Sequence, residues 1–236
     1  MQAALKCWVT PQQKHQNKAA CTFPFPSTKR INMTQQTGNV FVISAASGTG
    51  KTTLVSRLTQ RHAHIRVSIS HTTREPRAGE VNGQHYHFVN KEQFAQLAGE
   101  GAFLEHAEVF GNFYGTSAQA VKDLCNQGFD VILEIDVQGA AQIRHALPDS
   151  VSIFILPPSM AILEYRLRTR QTDSEEVIAR RLTEAREEIQ HAFAFDYIVH
   201  NHDLQQAENE LLAIFQATRL RQSNQVASIE KVLKSV

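Results

Sequence analysis

The stretch NVFVISAASGTGKTTL, residues 39 to 54, restricts this chain more than any other, because an apolar run, a glycine-bearing turn and the start of a helix follow one another directly. Continuous apolarity, with no polar alternation, marks a strand covered on both faces, and such strands belong to parallel sheets flanked by helices. Four further runs share this character: IRVSIS (65 to 70), DVILEID (130 to 136), SVSIFIL (150 to 156) and FDYIVHN (195 to 201). Helical segments separate them. The predicted fold is therefore α/β, a three-layer core around a parallel sheet.

The turn itself carries chemistry. In a Walker-type loop, successive backbone N–H groups curve around phosphate oxygens, a lysine reaches the outer phosphates, and a Ser or Thr hydroxyl binds magnesium. Here those roles fall to the backbone from Ala46 through Ser47, Gly48, Thr49 and Gly50 to Thr53, to Lys51, and to Thr52. The helix that begins near Lys51 adds its positive end. Gly48 and Gly50 stand where the backbone must approach oxygen closely or take a positive φ. Ala45 replaces only the first glycine of the usual pattern, where the strand ends. A bare glycine turn is the competing reading, but the strand before, the helix after and the threonine following lysine favour phosphate.

Composition narrows the partners. The chain has 236 residues, 42% of them hydrophobic, enough for one domain with additions and a substantial core. Its 24 Lys and Arg nearly balance 23 Asp and Glu, so global charge argues for no nucleic acid or other polyanionic partner. No acid precedes Glu75, which leaves the loop with little local anionic competition. Cys7, Cys21 and Cys125 form no metal-ligand spacing and suit a reducing, cytoplasmic compartment. The eleven histidines offer no convincing zinc pattern, and no apolar run approaches a membrane span.

Residues 1 to 37 differ from the rest: Pro11, Pro24 and Pro26, five Lys or Arg and many Gln give no sustained period, so a disordered extension is expected, with Met33 a candidate natural start. Two inserts interrupt the core. One, 70 to 116, is rich in Gly, Arg, Tyr and His; the other, about 157 to 190, is charged and helical, with TDSEEV as a helix start. Both fall where loops at the carboxyl ends of parallel strands face a ligand, and neither has the look of core. An amphipathic helix over 203 to 222 closes the domain, leaving 221 to 236 as a tail.

Four stretches, SISHTTREPRAGEVNGQHYHFV (68 to 89), FLEHAEVFGNFYGTS (103 to 117), VILEIDVQGA (131 to 140) and RLRTRQTDSEEVIARRL (166 to 182), resemble the guanylate kinase family in order and spacing. The resemblance covers about residues 38 to 220 and implies a P-loop NTPase core with a GMP-binding insert and a helical lid. It also implies ATP-dependent, Mg²⁺-assisted phosphorylation of GMP, and of dGMP, to the diphosphate. By the same resemblance, the ligands of the GMP phosphate fall on Arg74, Arg77, Tyr86 and Tyr114. The guanine-facing positions fall on Ser70, Glu105, Thr116 and Asp136, and the lid and catalytic arginines on Arg166, Arg170 and Arg181. Asn201 matches a position near the nucleotide phosphates, and Glu134 an acidic position tied to the metal's water shell.

Elementary chemistry agrees with these transfers. Arg74 and Arg77 flank a stiff Glu75-Pro76 turn, and two guanidinium forks can hold a phosphate dianion. Guanine presents two donors, N1–H and the 2-amino group, so its pocket needs acceptors such as Glu105 and Asp136, Glu105 being the stronger candidate because Asp136 could equally serve the metal. Two alternatives stand beside this reading: a peptide-binding module of the same fold, which would have lost the phosphate loop, and a kinase for another acceptor, which would lack the paired acids. Oligomeric state is not legible.

Overall fold

The computed structural model describes residues 38–109, 111–169 and 174–235. The expected extension, Met33 and the arginine at 170 lie outside the described residues. In chain order the elements are β1 (Val40–Ala45), α1 (Lys51–Arg61), β2 (Ile65–Val67), β3 (His71–Thr72), β4 (His87–Phe88), α2 (Lys91–Gly99), β5 (Phe103–Val109), β6 (Asn112–Ser117), α3 (Ala118–Asn126), β7 (Asp130–Glu134), α4 (Val137–Ala146), β8 (Val151–Leu156), α5 (Met160–Thr169), α6 (Glu175–Gln190), β9 (Tyr197–His200), α7 (Leu204–Arg219) and α8 (Val226–Lys234).

The main sheet runs β2-β7-β1-β8-β9, and every pairing in it is parallel. Strand geometry sends alternate side chains to opposite faces. Phe41 and Ile43 thus join Leu54 and Leu58 of α1 and Leu211 and Phe215 of α7 in one buried cluster. Val40 and Val42 join Val121 and Cys125 of α3 and Ala140 and Ile143 of α4 in the other. These are the three layers expected. The Phe41 and Phe215 rings stack at 3.7 Å, and the buried Glu208 of α7 accepts from Arg57 and Arg61 of α1 at 2.8 and 3.1 Å.

The run IRVSIS is strand only as far as Val67. The Ser68 amide still donates to Ile132 O at 2.9 Å, but the chain then crosses to a second sheet, ordered β4-β3-β6-β5, and Ser70 O already accepts from the His87 amide there. That insert has a core of its own, contrary to expectation: the Phe94 ring of α2 stacks on Phe103 at 4.8 Å and on Phe113 at 5.5 Å. FDYIVHN likewise starts later, at Tyr197, because the Asp196 carboxylate turns back to accept from the amide and hydroxyl of Ser152.

Ser174 caps α6 by accepting from the Val177 amide, as the TDSEEV pattern predicts. Leu163 and Leu167 of α5 pack with Ile178 and Ala185 of α6 and with Ala46 of the glycine loop, so this arm rests on the loop. After α7 the residues expected as a tail form α8, with Ile229, Val232 and Leu233 exposed. Among the described residues, no helix is long and apolar enough to cross a membrane.

Candidate active site

The chain leaves β1 toward one side of the sheet and returns on the other, which puts a crevice at the carboxyl end of β1, where ligands bind in sheets of this kind. Ala45 ends the strand, Ala46 to Thr49 form the turn, and Gly50 precedes α1. Gly48 and Gly50 have φ of 88° and 99°, the left-handed region in which a Cβ is strained. Lys51 donates to Ile135 O at 3.3 Å, which points it across the crevice to the end of β7. The Thr52 hydroxyl donates to Glu134 Oε1 at 2.7 Å, and Thr53 follows on the helix. Burial lowers the pKa of Lys51, while Glu134, Asp136 and Glu188 oppose that shift.

The loop is gripped from behind. Thr49 O accepts from Asn201 Nδ2 at 2.7 Å and from Arg166 Nη1 at 2.9 Å, and Arg166 Nη2 donates to Asn201 O at 3.2 Å. Asn201 and Arg166, expected beside phosphate, thus meet on the loop backbone, with both terminal nitrogens of the guanidinium engaged. A Cβ on Gly48 would lie 2.9 Å from Leu167 Cδ2, so the glycine also admits α5.

Across the crevice, antiparallel β5 and β6 set Glu105 opposite Thr116, and cross-strand partners share a face. The Thr116 hydroxyl accordingly donates to Glu105 Oε1 at 2.6 Å. Glu105 is only 4% exposed, and burial, with the charge of Asp136 adding to it, raises its carboxyl to about 7 against the Thr116 hydrogen bond. Asp136 caps α4 by accepting from the Gly139 amide at 2.7 Å. Ser70 lies at the crossing between the sheets.

Within the insert the Tyr86 and Tyr114 rings meet at 6.0 Å, and the Arg74 guanidinium lies 5.4 Å from the centroid of Tyr86, which is close enough to the loop mouth to feel the charge of Glu134. Arg74 donates to Glu80 Oε1 at 2.8 Å, and the Arg77 amide donates to Glu80 Oε2 at 2.7 Å. Those bonds, Arg74 foremost, hold the Glu80 carboxyl down to about 2. Glu80 was absent from the residues read as candidates, although an acid three residues past Arg77 in a glycine-bearing turn was a visible signal.

The arm brings a second unanticipated acid. Glu188 of α6 accepts from the Ser47 amide at 3.3 Å, and burial raises its carboxyl, with that amide and the Lys51 charge opposing. Arg181 lies about two turns earlier on the same face of the helix. Arg168 instead joins α5 to α6 by donating to Glu175 at 2.6 Å, and donates to Glu164 within α5 at 3.0 Å.

A parallel sheet with such a loop at the end of its central strand defines the P-loop NTPase class. The sequence profile described as guanylate kinase matches residues 37–218. The chain is 60% identical over 198 residues to the guanylate kinase of Neisseria gonorrhoeae, covering 84% of this chain and 97% of that one. Over 199 residues it is 54% identical to that of Alcanivorax borkumensis, covering 84% and 96%. The crystal structure of guanylate kinase from Anaplasma phagocytophilum superposes with a TM-score of 0.68 at 35% identity, covering 84% of this chain and 94% of that one. The chain belongs to the guanylate kinase family, as the four quoted stretches indicated.

Proposed function

We propose that the chain transfers the γ-phosphoryl group of ATP to GMP, and also to dGMP, giving ADP and the nucleoside diphosphate, in the cytoplasm. Family membership supports the reaction. The observation that carries the site assignment is the convergence of two carboxylates, Glu105 and Asp136, beside Gly139, with Lys51 bonded to the carbonyl that immediately precedes Asp136. A pocket that must recognise two guanine donors and a loop that must hold phosphate thereby share one crevice.

In this reading Ser70, Glu105, Thr116 and Asp136 hold the base, and Arg74, Arg77, Tyr86 and Tyr114 hold its phosphate. A phosphate monoester has a second pKa of about 6, so GMP arrives with a deprotonated oxygen and needs no general base. That oxygen bonds to the γ-phosphorus as the bond to the β,γ-bridging oxygen breaks, and ADP leaves with the electron pair. Catalysis is positioning and charge neutralisation. Lys51 and the loop amides hold the ATP phosphates, Arg170 and Arg181 stabilise the moving charge, and Arg166 with Asn201 keeps the loop in shape. The oxygens of Thr52 and Glu134, 2.7 Å apart at the loop mouth, are hard ligands that fit magnesium. Thr52 would hold the ion directly and Glu134 through water, and the bound ion would supply neutralisation of the phosphate oxygens.

The test is ADP release, followed with ATP, magnesium and each of GMP, AMP, CMP and UMP. GMP should exceed AMP by roughly 10⁴-fold in kcat/KM, the discrimination available to a site built to hydrogen-bond its substrate. Equal turnover of all four would overturn the reading.

A further inference from the structure

Gly139 lies in the first turn of α4, fully inside the molecule, with no positive φ to call for glycine. Alanine is the better helix former there, so local propensity does not account for the residue. Its surroundings do. A Cβ on Gly139 would stand 2.6 Å from Oε2 and 3.2 Å from Cδ of Glu105, and 3.4 Å from Oδ1 of Asp136.

Something would have to move, and the candidates are few. Helix α4 is fastened to β5 by Gln142, whose side chain accepts from the His106 amide at 3.2 Å and donates to His106 O at 2.9 Å. The helix is therefore not free to back away from the strand that carries Glu105. The other Glu105 oxygen is already bonded to Thr116, which faces it across the sheet. What can yield is the carboxylate, by turning away from its present position.

We infer that Gly139 is a specificity-determining positioning residue: its amide fixes Asp136, and its missing side chain lets the Glu105 carboxylate lie beside Asp136 where both can meet a purine. This inference rests on the reading of Glu105 as the acceptor for guanine. Gly139 itself touches no reacting atom, and its effect passes through the two acids.

The experiment is calorimetric binding of GMP and of ADP, each alone, to the wild type, Gly139→Ala, Glu105→Gln and the double variant, with thermal melting of all four. Gly139→Ala should weaken GMP roughly ten- to a hundredfold, the penalty for misplacing a charged hydrogen-bond partner. ADP affinity should be unchanged and the melting temperature equal or higher. In the Glu105→Gln background the same substitution should do much less, because both changes act on one carboxylate. If Glu105→Gln weakens GMP but Gly139→Ala does not, the positioning role is overturned and the base reading survives. If Glu105→Gln binds GMP as the wild type does, the base reading falls and the inference with it. Loss of GMP, ADP and melting temperature together in Gly139→Ala would make the glycine purely structural and also overturn the inference.

Discussion

Glu105 has its proton half in place near neutrality, and the sign of the consequence can be worked out. Its carboxyl is raised from an ordinary 4.5 to about 7 by burial first, then by Asp136. A raised acid binds a proton in the folded state that the unfolded chain has already released, so this stabilisation is full below about 4.5 and is lost as pH rises through about 7. The difference reaches about 3 kcal/mol in alkaline solution. Glu105→Gln should therefore raise the melting temperature at pH 8 and change it little at pH 5. Guanine's donors need the ionised form, so GMP binding below pH 7 should release a proton from the wild type and none from this group in Glu105→Gln. Calorimetry in buffers of different ionisation enthalpy measures that proton. Identical proton release by both proteins would remove Glu105 from the base contact. Lys51 is simpler, since Lys51→Ala deletes the loop's charge while leaving its backbone. A loss in kcat of roughly 10²- to 10³-fold is expected, by comparison with other preorganised donors, with the fold retained. Wild-type turnover in that variant would show that the phosphoryl group passes elsewhere.

Helix α6 presents a carboxylate to the amide that an incoming phosphate would use. Glu188 accepts from Ser47 and lies near Lys51, so nucleotide binding has to displace it. Glu188→Gln, which keeps the shape and removes the charge, should tighten ADP binding several-fold by calorimetry; weaker binding would mean that the acid supports the site instead. This residue was not legible in the sequence, because an acid on a helix face has the same composition whether it meets solvent or a loop amide, whereas Glu80 was signalled only by its place in a glycine-bearing turn three residues past Arg77. The loop and the five core strands were legible because each declares itself locally, through glycines followed by Lys51 and through unbroken apolar runs. The small sheet of the insert was not, since strands as short as His71–Thr72 and His87–Phe88 cannot show a period and exist by pairing with distant β6 and with each other. The same limit hid the early end of β2, which is set by where the chain must cross to the second sheet. The family resemblance pointed to Arg166 and Asn201, but only long-range geometry turns both toward Thr49 O.

The two largest buried clusters of the molecule lie on the two faces of the main sheet, and the last helix contributes to neither of them nor to the arm cluster. Asn224 and Gln225 still fasten the chain end, with Asn224 donating to Asn39 Oδ1 and to Thr218 O, and Gln225 to Arg219 O. A chain ending at Gln225 should thus melt within about 2 °C of the full chain, as expected for loss of surface contacts in a domain this size. A fall of about 10 °C by scanning calorimetry would show that α8 belongs to the core. The grip on the glycine loop has a consequence for how fast its amides trade hydrogen with water. Surface turns such as the one holding Gly79 and Gly83, whose surroundings are open, exchange through small local openings. The Thr49 amide is bonded to Ala46 O, and its carbonyl is held by an arm helix and by the residue after β9, so freeing it means parting three elements at once. Deuterium uptake at Thr49 should accordingly be as slow as in β1 and β8, even without nucleotide, so that this cradle behaves as part of the slowest-opening unit of the protein.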